Sequence, residues 1–200
     1  MKKVLWAFPA LILGLIVSVF IGIIPGVILR LIGLKKIGDN WIFTNGKLTA
    51  KFIFFLAGVK VEMTGNTQIL KDLKESGEAV CIVCNHTSVL DIVMVMGCMN
   101  IHTGFVAKSE LKWIPVANLW IMAVRSVFMD RKSLKKSVVA IKKAQKNISK
   151  GVSMFIFPEG TRSKTGEVGT FHKGSFRIAT DCNARVLPVT VRGLREALEN

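Results

Sequence analysis

A long apolar stretch near the start of the chain limits the possible folds more than any other feature. Val4 to Leu29 contains 26 residues without a charged side chain, and Ser18 carries its only hydroxyl. As one helix, the stretch would reach about 39 Å, whereas the hydrocarbon core of a bilayer is about 30 Å thick. It is too long for a signal-peptide core and lacks a small-residue cleavage site. We therefore expect a membrane-associated helix that stays in the protein.

Basic residues flank this stretch on both sides, with Lys2 and Lys3 before it and Arg30 after it. The positive charges therefore do not predict which end of the helix faces the cytoplasm. A single span fits the pattern, and so does a helical hairpin that returns at Pro25 and lies in one leaflet; we favour the hairpin. The apolar patch from Phe52 to Ala57 is expected to belong to another membrane-touching helix; the alternative is one half of a packed helical hairpin, and the two interpretations are compatible.

The charge balance predicts an anionic partner. The chain has 28 Lys and Arg against 13 Asp and Glu, a net charge of +15, and half of its residues are hydrophobic. Such a basic surface attracts nucleic acid, anionic membranes or phosphorylated substrates. The sequence contains no Tyr and no basic stripe interleaved with stacking aromatics, so we expect anionic membrane lipids and no nucleic acid.

The remainder of the chain alternates between strand and helix patterns. We expect N-terminal membrane-associated helices over residues 1–58 and an α/β domain over residues 59–200, with a largely parallel sheet flanked by helices. The expected strands are Val59–Met63, Ala79–Cys84, Phe105–Ala107, Val127–Met129, Val152–Phe157 and Arg185–Val191. The expected helices lie around Thr67–Lys74, Val89–Met99, Leu134–Ile148 and Gly174–Thr180.

A polar interruption between two apolar runs is the first candidate site. His86 follows a strand-like run, and Asp91 lies five positions later, where a helix is expected to begin. Thr87 or Ser88 can cap that helix, and a carboxylate suits its first turn. Loops held by rigid elements often carry chemistry, so the pair is a candidate for catalysis, although a structural histidine and a capping aspartate would produce the same pattern.

Three further strands end in basic residues suited to phosphate. Lys108, Arg131 and Arg162 follow the third, fourth and fifth expected strands, and Gly160 provides a turn at which a ligand can approach the backbone. Ligands of open α/β sheets bind beyond the carboxyl ends of the strands. We therefore expect these side chains to line one anion-binding edge together with His86.

The cysteines and histidines do not predict a metal site. Cys81 and Cys84 form a C-x-x-C, but residues three apart in a strand point to opposite faces. We expect buried free thiols in a reducing compartment. The histidines His86, His102 and His172 lack a ligand spacing, so no metal is expected.

Four short motifs resemble those of the glycerolipid acyltransferases with the H-x4-D motif. They are "NHTSVLD", "VFMDR", "FPEGTRS" and "VLPVTV", which occur in the family's order between Ala79 and Gly193. The resemblance is strongest to the branch that converts lysophosphatidic acid into phosphatidic acid. It implies a glycerolipid-acyltransferase-like α/β domain.

The resemblance also assigns roles to the candidate residues. His86 would remove the proton of the acceptor hydroxyl, and Asp91 would hold the other ring nitrogen of His86. The acceptor site would include Glu159, Gly160, Thr161 and Arg162, with Arg162 on the phosphate, and Arg131 from the second motif. Pro188 would shape the acyl-donor side. Lys108 is added from its charge and placement alone.

The expected function is transfer of a fatty acyl group from a thioester to the sn-2 hydroxyl of lysophosphatidic acid. No cofactor is required; the co-substrate is acyl-acyl carrier protein or acyl-coenzyme A. The expected location is the cell membrane, with the site at its cytoplasmic face. Two alternatives stay open: a different acceptor, such as glycerol-3-phosphate, another lysophospholipid or a lyso-aminolipid, and a non-enzymatic basic protein that binds anionic lipid.

Overall fold

The computed structural model describes residues 12–88, 90–163 and 165–195. The helices, labelled in chain order, are α1 (Ile12–Leu31), α2 (Lys35–Ala57), α3 (Gln68–Ser76), α4 (Asp91–Cys98), α5 (Ala117–Ala123), α6 (Leu134–Ile148) and α7 (Lys173–Thr180). The strands are β1 (Cys81–Cys84), β2 (Thr103–Lys108), β3 (Val127–Met129), β4 (Ser153–Ile156) and β5 (Val186–Val189). A 3-10 turn, Ser109–Trp113, follows β2.

The five strands form one parallel sheet in the order β3-β2-β4-β1-β5. A helix connects each strand to the next in the chain, as parallel pairing requires. Ile82 of β1 pairs with Phe155 of β4 on one side and with Leu187 of β5 on the other. The predicted α/β class is confirmed. Because all strands run in one direction, their carboxyl ends meet at one edge of the sheet.

The sheet has a hydrophobic core on each face. Leu73 of α3 and Val95 of α4 pack on the face that carries Cys84, whereas Ile141 of α6 packs on the face that carries Cys81. The two cysteines therefore point to opposite faces, as predicted, and both are free. Burial raises the pKa of each thiol to about 12, which keeps both thiols protonated.

Helices α1 and α2 form an antiparallel hairpin, and α1 is long and apolar enough to cross a membrane. The return lies at Gly33, whose φ is +93°, and the predicted return at Pro25 is wrong. Pro25 has no N–H to donate to the carbonyl of Ile21, but Trp41 Nε1 donates to that oxygen at 2.8 Å. A π-helical turn, Val19–Ile23, absorbs the irregularity, so α1 continues past the proline.

Glycines let the two helices approach closely. A Cβ at Gly26 would overlap the side chain of Ile42, and a Cβ at Gly38 would overlap the carbonyl oxygen of Gly26. Ile42 is only 1% exposed. The pattern of small residues thus fixes which face of α1 meets α2, and the opposite face of α1 carries exposed apolar side chains.

An ion-pair cluster ties the hairpin to the sheet domain. Asp39 of α2 accepts from Arg30 Nε at 2.7 Å and from Arg125 Nη2 at 2.7 Å. Arg30 also donates to the carbonyl of Ala123 at 2.8 Å. This cluster borders His102, just before β2, and so lies at the amino edge of the sheet, away from the carboxyl edge.

The structure differs from the sequence-based expectations in two connections. Val59–Met63 is not a strand, because its backbone pairs with no strand among the described residues; it lines a groove of about 770 Å³ together with Leu187–Leu194. The segment between β2 and β3 contains the Ser109–Trp113 turn and α5, neither of which the sequence pattern revealed. The other expected strands and helices are confirmed, with ends shifted by a few residues.

Candidate active site

The side chain of Asn85 fixes the loop between β1 and α4. The Asn85 side chain donates to the carbonyl of Val191 at 2.9 Å and accepts from the Val191 N–H at 2.9 Å. Asn85 is buried, and this two-way bond satisfies both polar ends of its amide. The loop that carries His86 is therefore attached to the chain just beyond β5.

Asp91 holds the imidazole of His86. His86 Nδ1 lies 2.9 Å from Asp91 Oδ2, which also accepts from the backbone N–H groups of Thr87 at 2.8 Å and Ser88 at 2.9 Å. Asp91 is the first residue of α4 and is fully buried. The predicted N-cap at Thr87 or Ser88 is wrong, because Leu90 occupies the N-cap position and its side chain makes no cap bond. Ser88 Oγ accepts from the Leu90 N–H at 3.3 Å, and the carboxylate of Asp91 bonds back to the loop. An acceptor at Nδ1 assigns the ring proton to that atom and leaves Nε2 with a free lone pair.

The imidazole is also fixed on its face. The ring stacks on Phe157 with centroids 3.8 Å apart and planes 16° from parallel. The His86 side chain keeps 17% of its surface exposed. The carbonyl of His86 accepts from the Ser163 N–H at 2.8 Å, which joins this loop to the segment after β4. The ring therefore has few orientations open to it, and it remains accessible to a small reacting group.

Glu159 is buried between two loops. Its Oε1 accepts from the His86 N–H at 2.8 Å and its Oε2 accepts from the Gly169 N–H at 2.9 Å. The residue is 4% exposed. Both oxygens are thus engaged by backbone, and the geometry gives Glu159 a part in positioning His86. Its contact with the acceptor stays a prediction.

The Gly160 turn brings Arg131 and His172 together. Gly160 has φ +70°, and a Cβ there would lie 3.1 Å from the His172 ring and 3.7 Å from Arg131 Nη1. The His172 N–H donates to the carbonyl of Pro158 at 2.9 Å, which holds the histidine beside the turn. His172 was not among the predicted site residues, since it belongs to no motif. A signal in the sequence would have been its place one residue before α7.

Thr161 and Arg162 follow Gly160 and are exposed at the carboxyl edge of the sheet. Arg162 forms no ion pair with any residue that the structure describes. Arg131 likewise forms no ion pair with an acidic residue in that part of the chain. Its sequence neighbour Asp130 pairs with Lys136 at 3.1 Å instead. Arg131 is exposed, yet partial desolvation of its guanidinium by the surrounding protein lowers its pKa, and Glu110 opposes the effect; the group stays charged. An excess of positive charge therefore surrounds the Gly160 turn.

Lys108 lies at the end of β2 on the same edge, but its ammonium is engaged. Its Nζ lies 3.0 Å from Glu110 Oε1, and both side chains are more than half exposed. The hydrogen bond from Lys108 lowers the pKa of Glu110 to about 2. Contact between Lys108 and a phosphate would require this exposed pair to open. Pro188 lies in β5 and lines the large groove, so its predicted place beside the acyl donor stays a prediction.

No cluster of three or more His, Cys, Asp or Glu side chains in residues 12–88, 90–163 and 165–195 could hold a metal ion. His86 and His172 lie at the carboxyl edge, whereas His102 lies at the amino edge. The carboxyl edge of the sheet contains the imidazole of His86, which Asp91 holds, and the guanidinium groups of Arg131 and Arg162. This arrangement suits proton transfer next to a phosphate.

Together, the fold and the site define an α/β domain of the His-x4-Asp class. The sequence matches the Acyltransferase family profile over residues 60–192. The chain therefore belongs to the Acyltransferase family.

Individual relatives agree with this assignment. A chloroplastic 1-acyl-sn-glycerol-3-phosphate acyltransferase from Arabidopsis thaliana is 31% identical over 170 residues, which cover 82% of this chain and 47% of the relative. A 1-acyl-sn-glycerol-3-phosphate acyltransferase from Borreliella burgdorferi is 33% identical over 141 residues, covering 70% of this chain and 54% of the relative. The chain spans about half the length of these curated relatives.

A solved structure shares the fold. The crystal structure of the 1-acyl-sn-glycerophosphate (LPA) acyltransferase PlsC from Thermotoga maritima superposes with a TM-score of 0.71 at 30% identity. The match covers 92% of this chain and 73% of that one. The similarity therefore extends beyond the four motifs to most of the chain.

Proposed function

We propose that the protein transfers a fatty acyl group from a thioester to the sn-2 hydroxyl of lysophosphatidic acid, giving phosphatidic acid. The observation that carries this proposal is the bond between His86 Nδ1 and Asp91 Oδ2 at 2.9 Å, at the sheet edge that also presents Arg131 and Arg162. The names of the relatives support the choice of acceptor.

The chemistry needs one proton carrier. His86 Nε2 takes the proton of the acceptor hydroxyl while the hydroxyl oxygen forms a bond to the carbonyl carbon of the thioester. The carbon–sulfur bond then breaks, and the imidazolium returns the proton to the leaving thiolate. Asp91 stabilises the positive ring and holds its tautomer, and general-base assistance of this kind contributes about 10²- to 10⁴-fold in rate.

The acceptor phosphate is assigned to the basic edge. Arg162 offers a planar fork for two phosphate oxygens, and Arg131 lies beside the same Gly160 turn. Thr161 adds a hydroxyl at this turn. The donor is acyl-acyl carrier protein or acyl-coenzyme A; both are anionic and both suit a chain of net charge +15. No further cofactor takes part in the proposed reaction.

The proposed location is the cytoplasmic face of the cell membrane. The acceptor and product are amphiphiles of the bilayer, and the donor is water-soluble, so the site must reach both. The outer face of α1 is apolar and exposed, with Phe20 at 63% and Leu31 at 80%. A hairpin that buries this face in one leaflet would hold the domain against anionic headgroups.

Two other functions are open to test. The first is acylation of a different acceptor by the same site: glycerol-3-phosphate, another lysophospholipid or a lyso-aminolipid. The second is non-enzymatic binding of anionic lipid, which would explain the charge and the apolar hairpin. Lipid binding alone requires neither a buried Asp91 nor an imidazole stacked on Phe157, so the site geometry favours an enzyme.

The test is an acyl-transfer assay on the purified full chain in detergent. Lysophosphatidic acid and the alternative acceptors are each offered with an acyl-acyl carrier protein and an acyl-coenzyme A. His86→Ala is the inactive variant, and His102→Gln, a histidine at the opposite edge, is its matched control. Highest kcat/KM with lysophosphatidic acid supports the proposal. Transfer that survives in His86→Ala at the level of the control would sink it.

A further inference from the structure

We propose that a second membrane contact lies beside the active site, separate from the helical hairpin. It consists of four exposed apolar residues on the segment between β2 and β3, here named the rim patch: Trp113 (85% exposed), Ile114 (48%), Leu119 (42%) and Met122 (63%). Its partner is the headgroup layer of an anionic bilayer. Exposed apolar patches of this kind mark interaction surfaces.

The local backbone holds the rim patch outward. The chain turns at Val116, where φ is +64° and ψ is −51°, and the Ala117 N–H donates to the Pro115 carbonyl at 2.7 Å. A β-branched residue in this conformation is strained, and such strain persists only where the surroundings enforce it. Asn118 Nδ2 donates to the Lys112 carbonyl at 2.9 Å and closes the turn. Trp113 and Ile114 are therefore held out by a tied turn.

Helix α5 divides its apolar residues between two faces. Trp120 and Ala123 are buried, and Trp120 Nε1 donates to Ser18 Oγ of α1 at 3.0 Å. Leu119 and Met122 lie three residues apart on the outer face and are exposed. The buried face of α5 thus packs on the hairpin, and its outer face presents Leu119 and Met122 to the surroundings.

The charges next to the rim patch favour an anionic lipid surface over an apolar protein partner. Lys112 precedes Trp113 and is exposed, with its Nζ 5.2 Å from the centroid of the Phe128 ring. Lys108 lies at the start of the same segment and is also exposed, where it pairs with the exposed Glu110 at 3.0 Å. A tryptophan next to an exposed lysine is suited to the membrane interface, where the ring occupies the headgroup level and the Lys112 ammonium meets phosphates.

The position of the rim patch gives it a use in the reaction. The turn starts where β2 ends, at the same sheet edge as His86. Insertion there would keep the site mouth at the depth of the acceptor headgroup, so the lysophospholipid need not leave the bilayer entirely. This role rests on the proposed function, whereas insertion itself can be measured without any acyl transfer.

The direct test uses an environment-sensitive dye on single reactive cysteines. In the full chain carrying Cys98→Ser and Cys182→Ser, the buried Cys81 and Cys84 stay unreactive, and Trp113→Cys provides the site. The matched control is Val139→Cys, an apolar residue of α6 that is 63% exposed on the other face of the sheet. The proteins are reconstituted at fewer than one chain per vesicle into phosphatidylcholine vesicles with phosphatidylglycerol.

The dye at position 113 should shift to the blue and be quenched by lipids brominated near the headgroup, and the dye at position 139 should do neither. Equal, water-like emission at both positions would overturn the proposal and leave a protein partner or a second copy as the occupant. Failure of acyl transfer in the Val139→Cys sample, whose rim patch is intact, would count against the proposed function without affecting this result.

A kinetic experiment tests whether the rim patch helps the site to reach acceptor held in a bilayer. Trp113→Ser should raise the KM for acceptor held in vesicles about fivefold, because interfacial binding scales with buried apolar area, and should change kcat on a short-chain monomeric acceptor less than about twofold. Val139→Ser, the control, should change neither. An equal loss on both acceptors would show that Trp113 acts on the fold or the chemistry, and would also overturn the proposal.

Discussion

At the scale of single residues, the catalytic proposal depends on how tightly one imidazole is held. His86 is fixed by Asp91 at Nδ1, by Phe157 on its face and by Glu159 at its backbone N–H. His86→Ala should lower kcat at least about 100-fold, since it removes the proton carrier. Asp91→Asn should lower kcat more than it raises KM, because it disturbs the tautomer and not binding. Single-turnover acyl transfer measures both.

The control for this pair is the circular dichroism spectrum, which should not change. Asp91→Asn replaces an oxygen that accepts two backbone N–H groups, so a moderate loss of melting temperature is expected there. If His86→Ala kept a tenth or more of the wild-type turnover, the general-base role would be wrong.

Arg162 carries the second residue-scale prediction. It is exposed, follows a Gly turn and is assigned to the acceptor phosphate. Arg162→Ala should raise the KM for lysophosphatidic acid about 10- to 100-fold, the usual loss for charge-assisted bonds, and Arg162→Lys should restore part of it. Arg185 is the matched control: it is exposed, precedes β5 and pairs with Glu78. Equal effects of Arg162→Ala and Arg185→Ala would point to general electrostatics.

His102 should make stability depend on pH. Burial lowers its pKa below the ordinary 6.5; Asp39 opposes this, and Arg125 and Arg30 add to it. The folded state therefore holds a neutral ring, and the unfolded chain takes up the proton first as the pH falls. The neutral His102 ring therefore contributes its full stabilisation above pH 6.5. This stabilisation is lost as the pH falls below 6.5 and through the lowered pKa of His102 in the folded state. The melting temperature in detergent should thus fall between pH 7 and 5, and less so in His102→Gln.

Sequence reasoning found the candidate site residues that lie in contiguous motifs. His86 and Asp91 are five apart, so the pattern of a strand followed by a helix predicts that they meet. The bonds from Glu159 to His86 and from Asn85 to Val191 span 73 and 106 residues. Contacts at such separation depend on strand order, which the sequence pattern does not contain. His172 was missed because it belongs to no motif.

At the scale of elements, the hairpin depends on its glycine face. Gly26→Leu should force α1 away from α2, because the new side chain would occupy the space of Ile42. Overpacking of this kind typically costs about 1–3 kcal/mol, so the melting temperature should fall. Ile28→Leu, on the exposed side of the same helix, is the control and should have little effect. An unchanged melting temperature for Gly26→Leu would show that the helices are not packed as described.

The elements that the sequence pattern predicted correctly are those with a strong periodic or continuous apolar signal. Helix α6 has one apolar face and a Ser133 cap that accepts from the Lys136 N–H. Two features lacked such signals. Val59–Met63 alternates like a strand but has no pairing partner in the part of the chain described, and α5 is short and apolar on both faces. Strand formation needs a neighbour, and periodicity alone does not supply one.

At the scale of the whole molecule, the protein should behave as an integral membrane protein. Burial of the outer face of α1 is hydrophobic and is not screened by ions. The chain should stay in the membrane fraction after a high-salt wash. A triple variant with Phe20→Gln, Ile28→Gln and Leu31→Gln keeps the glycine face of α1 and should be released by salt. The control with Leu134→Gln and Val139→Gln, both exposed on α6, should stay bound.

Retention of the triple variant after the wash would show that α1 is not the anchor. Labelling of a single cysteine at residue 2 in intact cells then distinguishes the two membrane arrangements. Residue 2 lies outside the described residues, and its predicted location on the cytoplasmic side is tested only by this experiment. Labelling of this cysteine by a reagent outside the cell would exclude the hairpin and support a single span.

The order of the strands has a consequence for synthesis. Strand β1 lies between β4 and β5, which are synthesised much later, and the Asn85 side chain bonds to Val191 beyond β5. The hairpin, in contrast, consists of neighbouring elements and can form as soon as it leaves the ribosome. A nascent chain would therefore reach the bilayer long before its His86 loop is set. Attachment would come first and completion of the site last, so under the proposed function an unfinished chain on the membrane would lack the assembled His86 site.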